Sequence, residues 1–169
     1  EEAVKAAAFG AFANQGQICM STERIVVDEK IADMFVERFG AKAKTLSVGD
    51  PREGKAILGS VVDRNAADRV TSVVRAKGED EAVRIANDTP YGLSAAVFGR
   101  DVTRAFRVAR RIDTGICHIN GPTVHDEAQM PFGGVKESGY GRFGGKAAIH
   151  EFTELRWITI QSGHRHYPF

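Results

Sequence analysis

Helical periodicity and short β-branched runs alternate along this chain, and that alternation restricts its fold more than any other feature. Residues 2–13 set Val4, Ala7, Ala8, Ala11 and Phe12 at helical spacing in an alanine-rich stretch, which predicts a helix. Residues 24–28 are a β-branched run and read as a strand. Residues 30–44 are amphipathic, with Ile31, Met34, Phe35 and Phe39 on one face. Residues 63–76 read as a helix with Val70, Val73 and Val74 on one side, and 79–87 as another, separated only by Lys77 and Gly78. Strands are expected at 93–98 and 115–120, around a helix at 102–112 whose N-cap is Asp101. A short helix at 146–152 and a last strand at 155–161 complete the pattern. This order implies an α/β fold, a sheet flanked by helices.

The chain has 169 residues, enough for one domain or for one domain and a fragment. It begins Glu1-Glu2, already inside a helical pattern and without Met, so it reads as a fragment with no signal peptide. A net charge of +1 lacks the basic excess of a nucleic-acid binder. No apolar stretch approaches the roughly 18 residues of a membrane span. Two cysteines, Cys19 and Cys117, are too few for a disulfide framework, and a reducing, cytoplasmic setting is expected.

Several residues could carry chemistry. Cys19 follows Asn14-Gln15-Gly16-Gln17-Ile18, between a helix end and a strand, where a side chain can face a cleft. Backbone N–H groups at a tight turn can supply the electropositive surround that a nucleophilic thiolate needs. Its alternative is a buried, inert cysteine, and Cys117, inside an apolar strand, reads as core. Eight glycines lie between Gly115 and Gly145, where average usage gives about two. Gly139, Gly141 and Gly144 match the letters of a dinucleotide fingerprint. They follow Lys136-Glu137-Ser138 rather than a strand, so the stretch reads as a glycine-rich surface loop. His125, Asp126 and Glu127 are adjacent, but their side chains point apart and no second ligand cluster accompanies them, so no metal site is expected. His118 reads as a satisfied core histidine, and His164 and His166 as solvated tail.

Three long stretches, taken in order, resemble the aldehyde dehydrogenase superfamily: 12–19 (FANQGQIC), 87–95 (NDTPYGLSA) and 131–142 (PFGGVKESGYGR). Residues 120–130 and the ending His166-Tyr167-Pro168-Phe169 are most similar to the salicylaldehyde, vanillin and benzaldehyde dehydrogenases. The resemblance implies that Cys19 is the nucleophile. Its thiolate attacks the aldehyde to give a thiohemiacetal, held by donors that include its own backbone N–H. Hydride then passes to NAD or NADP, and the resulting thioester is hydrolysed to the acid. Ile18, Met20, Val124 and Phe132 are implied as substrate-tunnel residues, with the loop through Thr123 and His125 shaping its mouth.

The resemblance further implies a partial catalytic domain over residues 1–154 and a C-terminal strand and tail over 155–169 that pairs across subunits in a homo-oligomer. The family's cofactor domain, with the glutamate that activates water, lies outside this region. A family segment carrying a Glu-x-Phe-Gly-Pro motif is expected to be missing near 76–79, removing strands and leaving open sheet edges. The parent reaction is oxidation of a small aromatic aldehyde. The rival readings are a non-catalytic remnant or interaction module, and a slow cysteine-dependent esterase that needs no NAD.

Overall fold

The computed structural model describes residues 1–65 and 72–169. Helix α1, Glu2–Phe12, is followed by a 3-10 turn at Ala13–Gly16, in which Asn14, Gln15 and Gly16 all take left-handed backbone angles (φ 49°, 57° and 73°). The chain then runs into β1, Arg24–Asp28, and α2, Ala32–Lys44. Phe12 of α1 stacks on Phe39 of α2, and Phe39 on Phe35, each pair with ring centroids 5.9 Å apart. The apolar face read in 30–44 is therefore used in part: Phe35 and Phe39 join this stack, while Ile31 and Met34 stay about half exposed.

Strand β2, Ser72–Ala76, pairs in parallel with β1, from Arg24 opposite Ser72 to Asp28 opposite Ala76. This corrects the helix expected through Ala76; its middle, 66–71, lies outside the described residues. Val73 and Val74 fit a helical or a β period equally over so short a run, and pairing with β1 decides the matter. Lys77 leads directly into α3, Gly78–Asn87, with Gly78 at φ +82° and the Lys77 N–H donating to the Glu81 carboxylate at 2.6 Å.

Strand β3, Tyr91–Gly92, precedes β4, Ser94–Val97. Helix α4, Val102–Ala109, starts at Asp101, whose carboxylate accepts the Arg104 N–H at 2.9 Å, as a cap at this position should. Strand β5, Ile116–Ile119, lies parallel to β4, with Ala95 opposite Cys117 and Ala96 opposite His118. Strand β6, Val135–Lys136, pairs antiparallel with β3, and α5, Gly145–Phe152, follows. Helix α3 packs on β1 and β2, and α4 on β4 and β5. Arg104 of α4 pairs with Glu79 of α3, and Arg111, just beyond α4, pairs with Asp80 at 2.6 Å.

The α/β class is as expected, yet the described strands form three two-stranded sheets rather than one. The strand expected at 155–161 is absent: these residues carry no helix or strand, and Leu155, Trp157 and Ile160 are at least 90% exposed. Their β-branched pattern pairs with none of the described sheets. Buried apolar residues are small, such as Val4, Ala8, Val27, Ala76 and Ala105, and no large side chain is fully buried. The accessible surface is 12706 Å², roughly half as much again as the ~8,200 Å² expected for a closed monomer of 18.4 kDa. Among the described residues, no helix is long and apolar enough to cross a membrane.

The glycine-rich stretch is tightly packed at Gly115, Gly133 and Gly134, while Met130 and Tyr140 within it are exposed. Gly134 is buried, and a Cβ on Gly115 would meet the Gly133 carbonyl and stand 2.9 Å from the Gly134 Cα. Backbone, not a flexible side chain, would have to move. Gly115→Ala is expected to cost about 1–3 kcal/mol, read as a lower urea midpoint with an unchanged slope.

Candidate active site

Cys19 sits on a tight turn. The Ser21 N–H donates to the Ile18 carbonyl at 2.8 Å, so Cys19 and Met20 occupy the two central positions of a β-turn. The Ser21 hydroxyl accepts the Ile18 N–H at 3.2 Å and tightens it further. Upstream, the Gln17 N–H reaches the Asn14 carbonyl at 3.0 Å, anchoring the turn to the left-handed stretch after α1. The Cys19 thiol is thus held at an exposed corner.

The turn is fixed on its other side by residue 22. The Thr22 N–H donates to the Gly10 carbonyl of α1 at 3.0 Å, and its hydroxyl bonds the Thr123 hydroxyl at 2.8 Å. A Cβ on Gly10 would collide with the Thr22 hydroxyl and lie 3.0 Å from that of Thr123, so only glycine permits this approach. Thr123 in turn accepts the Ser94 hydroxyl on its carbonyl at 2.7 Å. Four segments therefore converge beside the cysteine: α1, the 18–22 turn, β4 and the loop after β5. Thr22 and Ser94 were not singled out by the sequence reading, because nothing local marks a contact that spans 101 residues.

Cys19, Met20, Pro122 and Thr123 all line one cleft of about 1200 Å³. Of the residues expected to meet substrate, Met20 shares this cleft with Cys19. Ile18, beside it in the turn, and Val124, beside Thr123, are half-buried outside its lining. Phe132 is elsewhere: it exchanges two backbone hydrogen bonds with Phe143, at 2.8 and 2.7 Å, and holds the glycine-rich segment together.

The histidine expected to be satisfied is not. His118 Nε2 is shielded from solvent and has no hydrogen-bond partner. Its ring meets that of His125 edge-on, centroids 5.1 Å apart, and His125 Nε2 lies 3.4 Å from the Glu127 carboxylate. Burial, and then the neighbouring His125, pull the His118 pKa below its ordinary value. Cys117, on the same strand, has its thiol pushed up by burial. Among the described residues, no group of three or more His, Cys, Asp or Glu side chains could hold a metal ion.

Gly139, Gly141 and Gly144 do not form a cradle for a dinucleotide. A Cβ on Gly144 would meet the Met130 carbonyl, and one on Gly141 would stand 2.7 Å from the Glu151 carboxylate. Glu151 is held there by the Arg142 N–H at 3.1 Å. Carbonyl oxygens and a carboxylate repel a pyrophosphate, so the described residues do not fit NAD or NADP at this segment.

The family model for the "Aldehyde dehydrogenase family" matches residues 1–75 and 70–158. A vanillin dehydrogenase of Pseudomonas fluorescens is 48% identical over 216 aligned positions, covering 99% of this chain and 45% of the relative. The crystal structure of a salicylaldehyde dehydrogenase from Pseudomonas putida G7, complexed with salicylaldehyde, superposes with TM-score 0.86 at 46% identity. It covers 99% of this chain and 45% of that one. A Staphylococcus aureus betaine aldehyde dehydrogenase in complex with NAD+ aligns with TM-score 0.81 and 26% identity, over 90% of this chain and 42% of its own. The chain thus spans about half the length of the curated relatives it matches.

Two outcomes follow from this geometry. Iodoacetamide is expected to alkylate exposed Cys19 before Cys117, whose thiol burial disfavours as thiolate; peptide mass spectrometry resolves the order. Because the folded state holds the His118 pKa below its ordinary 6.5, stability is present above that value and is lost as pH falls through the folded value. His118→Phe is expected to shrink the loss of urea stability between neutral and mildly acidic pH.

Proposed function

Because the chain belongs to the aldehyde dehydrogenase family, we propose that it carries the nucleophile-bearing part of an enzyme that oxidises a small aromatic aldehyde to its carboxylic acid. The observation that carries this reading is Cys19, exposed at the corner of a hydrogen-bonded turn and opening on a cleft. The aromatic class is drawn from the similarity to vanillin and salicylaldehyde dehydrogenases.

In the proposed chemistry the Cys19 thiolate adds to the aldehyde carbonyl carbon. A carbon–sulfur bond forms and the carbonyl π pair moves to oxygen, which the Cys19 backbone N–H stabilises before a proton neutralises it. Met20 is the proposed contact for the ring, and Ile18, Val124 and Phe132, outside the cleft lining here, are the further proposed substrate residues. The family acts with NAD or NADP, which accepts hydride from such an adduct. That step belongs to the part of the fold that binds the dinucleotide, outside these residues.

A family segment is proposed to be missing within the chain. Support comes from the two matched stretches, which meet at 70–75, and from alignments of 216 positions on a 169-residue chain. The seam is therefore proposed to lie at 70–75 and not at 76–79, because β2, Lys77 and α3 sit together inside the second matched stretch. The exposed 155–161 segment is proposed to pair with another subunit in a homo-oligomer. A remnant that only binds intact subunits draws on this same exposure.

An activated ester tests the nucleophile without NAD. With p-nitrophenyl acetate, the purified chain is expected to release about one equivalent of p-nitrophenol and then stop, as the acyl group remains on Cys19. Cys19→Ala is expected to abolish the burst; a burst that survives the substitution overturns the assignment. With salicylaldehyde and NAD+, the chain alone is expected to form no NADH. Cys19-dependent NADH would overturn the division of labour drawn above.

A further inference from the structure

The chain reaches Cys19 through backbone that is costly to hold. Asn14 and Gln15 stand at φ 49° and 57°, in the left-handed region, and Gly16 follows at φ +73°. Glycine takes that region freely and asparagine tolerates it, but a glutamine there is strained. Strain of this kind persists only where surrounding contacts over-determine it. Two local contacts contribute: the Gln17 N–H donates to the Asn14 carbonyl at 3.0 Å, and the Asn14 side-chain amide to the Gln17 carbonyl at 3.3 Å. Both lie within the turn itself and fix its shape, not its place in the fold.

Its place is set by two glutamine side chains. The Gln17 amide oxygen accepts the Val62 N–H at 3.1 Å, across 45 residues of sequence. The Gln15 amide, turned to satisfy both of its neighbours, accepts the Gly59 N–H at 3.0 Å and donates to the Asn14 carbonyl at 3.2 Å. Gly59 has no side chain and that of Val62 is 86% exposed, so these two long-range contacts use backbone donors alone. The 59–62 segment is anchored on its other side. The Leu58 N–H donates to the Ser47 carbonyl at 2.9 Å and the Gly49 N–H to the Leu58 carbonyl at 3.1 Å, just beyond α2. Helix α2 in turn stacks Phe39 on Phe12 of α1. A closed circuit thus runs from α1 through the left-handed turn to 59–62, on to α2 and back.

We propose that Gln17, with Gln15 beside it, is a positioning residue for Cys19: the two amides brace the strained turn against 59–62 and so aim the Cys19 backbone N–H at the oxygen of the tetrahedral adduct. The proposal rests on the reading of Cys19 as the nucleophile and adds the residues that orient it. Gln17 lies two residues ahead of Cys19 and its amide oxygen is engaged by Val62, so it acts on the reaction through the backbone. A misplacement of about 1 Å in a reacting group can cost on the order of a hundredfold in rate. A lost brace therefore registers in the chemistry while the rest of the chain stays folded.

Two reactions of the same thiol separate aim from reactivity. With p-nitrophenyl acetate the Cys19 sulfur adds to the carbonyl carbon, charge develops on oxygen, and p-nitrophenolate leaves. With iodoacetamide the sulfur displaces iodide from a methylene carbon, and no oxyanion forms. Gln17→Leu is expected to slow the burst roughly tenfold or more while changing the alkylation rate of Cys19 by less than about twofold at the same pH. Gln17→Glu keeps an acceptor for the Val62 N–H and is expected to restore the burst to within about threefold of the unsubstituted chain. Val62→Pro removes that N–H and is expected to match Gln17→Leu, with the double substitution no slower than either alone. Equal slowing of both reactions, or of neither, overturns the proposal, since Gln17 would then be merely structural or idle. So does a full burst from Val62→Pro, or a Gln17→Glu chain as slow as Gln17→Leu. The absence of any burst before substitution instead overturns the reading of Cys19 itself, and the proposal with it.

Discussion

A single chain of hydrogen bonds, Gly10 carbonyl to Thr22, Thr22 to Thr123, and Thr123 to Ser94, ties the cysteine turn to the rest of the molecule. Without it the turn at 18–21 would hang between a helix and a strand that belong to one half of the chain. With it, the loop after β5 and the start of β4 are brought to the same place. The tie depends on the absence of a side chain at Gly10, because a Cβ there would occupy the Thr22 hydroxyl position. A small residue inside an alanine-rich helix thus does more for the site than its own weak helix propensity costs.

Backbone pairing explains why the rest of the structure is open. Extended backbone needs a neighbour on both sides unless solvent serves one of them. Here parallel strands satisfy each other two at a time, β1 with β2 and β4 with β5, and stop. The helices that should cover a full sheet still pack on each pair, so the two pairs stand apart with an apolar gap between them. The large accessible surface and the core of alanine and valine follow from the same arrangement, which leaves larger side chains such as Phe9, Phe106 and Trp157 exposed.

Most elements were legible because their signals are local. The alanine period of α1, the Asp101 cap of α4 and the β-branched run of β1 each depend on neighbours within a few positions. Ser72–Ala76 was misread as helix because Val70, Val73 and Val74 satisfy a helical spacing that only pairing with β1 overrules. The segment at 155–161 carries a strand pattern but pairs with no edge of the described sheets. In the proposed site, Cys19 was singled out by its motif and Met20 by adjacency, and both line the cleft. Thr22 and Ser94 act through contacts that no local pattern encodes, and Thr123, expected at the tunnel mouth, is where those contacts meet.

The unpartnered His118 nitrogen shows the other side of local reading. One histidine in an apolar strand invites the assumption that the fold has found it a partner. Here the fold has instead set a second histidine ring against it, edge to face, and left Nε2 shielded. A neutral ring is the form that arrangement tolerates, since a proton on His118 would be poorly solvated and would face His125. The loop that carries His125 is the one Thr123 fastens beside Cys19, and the His125 N–H donates to the Thr123 carbonyl at 3.1 Å. The same short segment therefore carries both the ring that packs against a shielded histidine and the threonine that fastens the rim of the cysteine cleft.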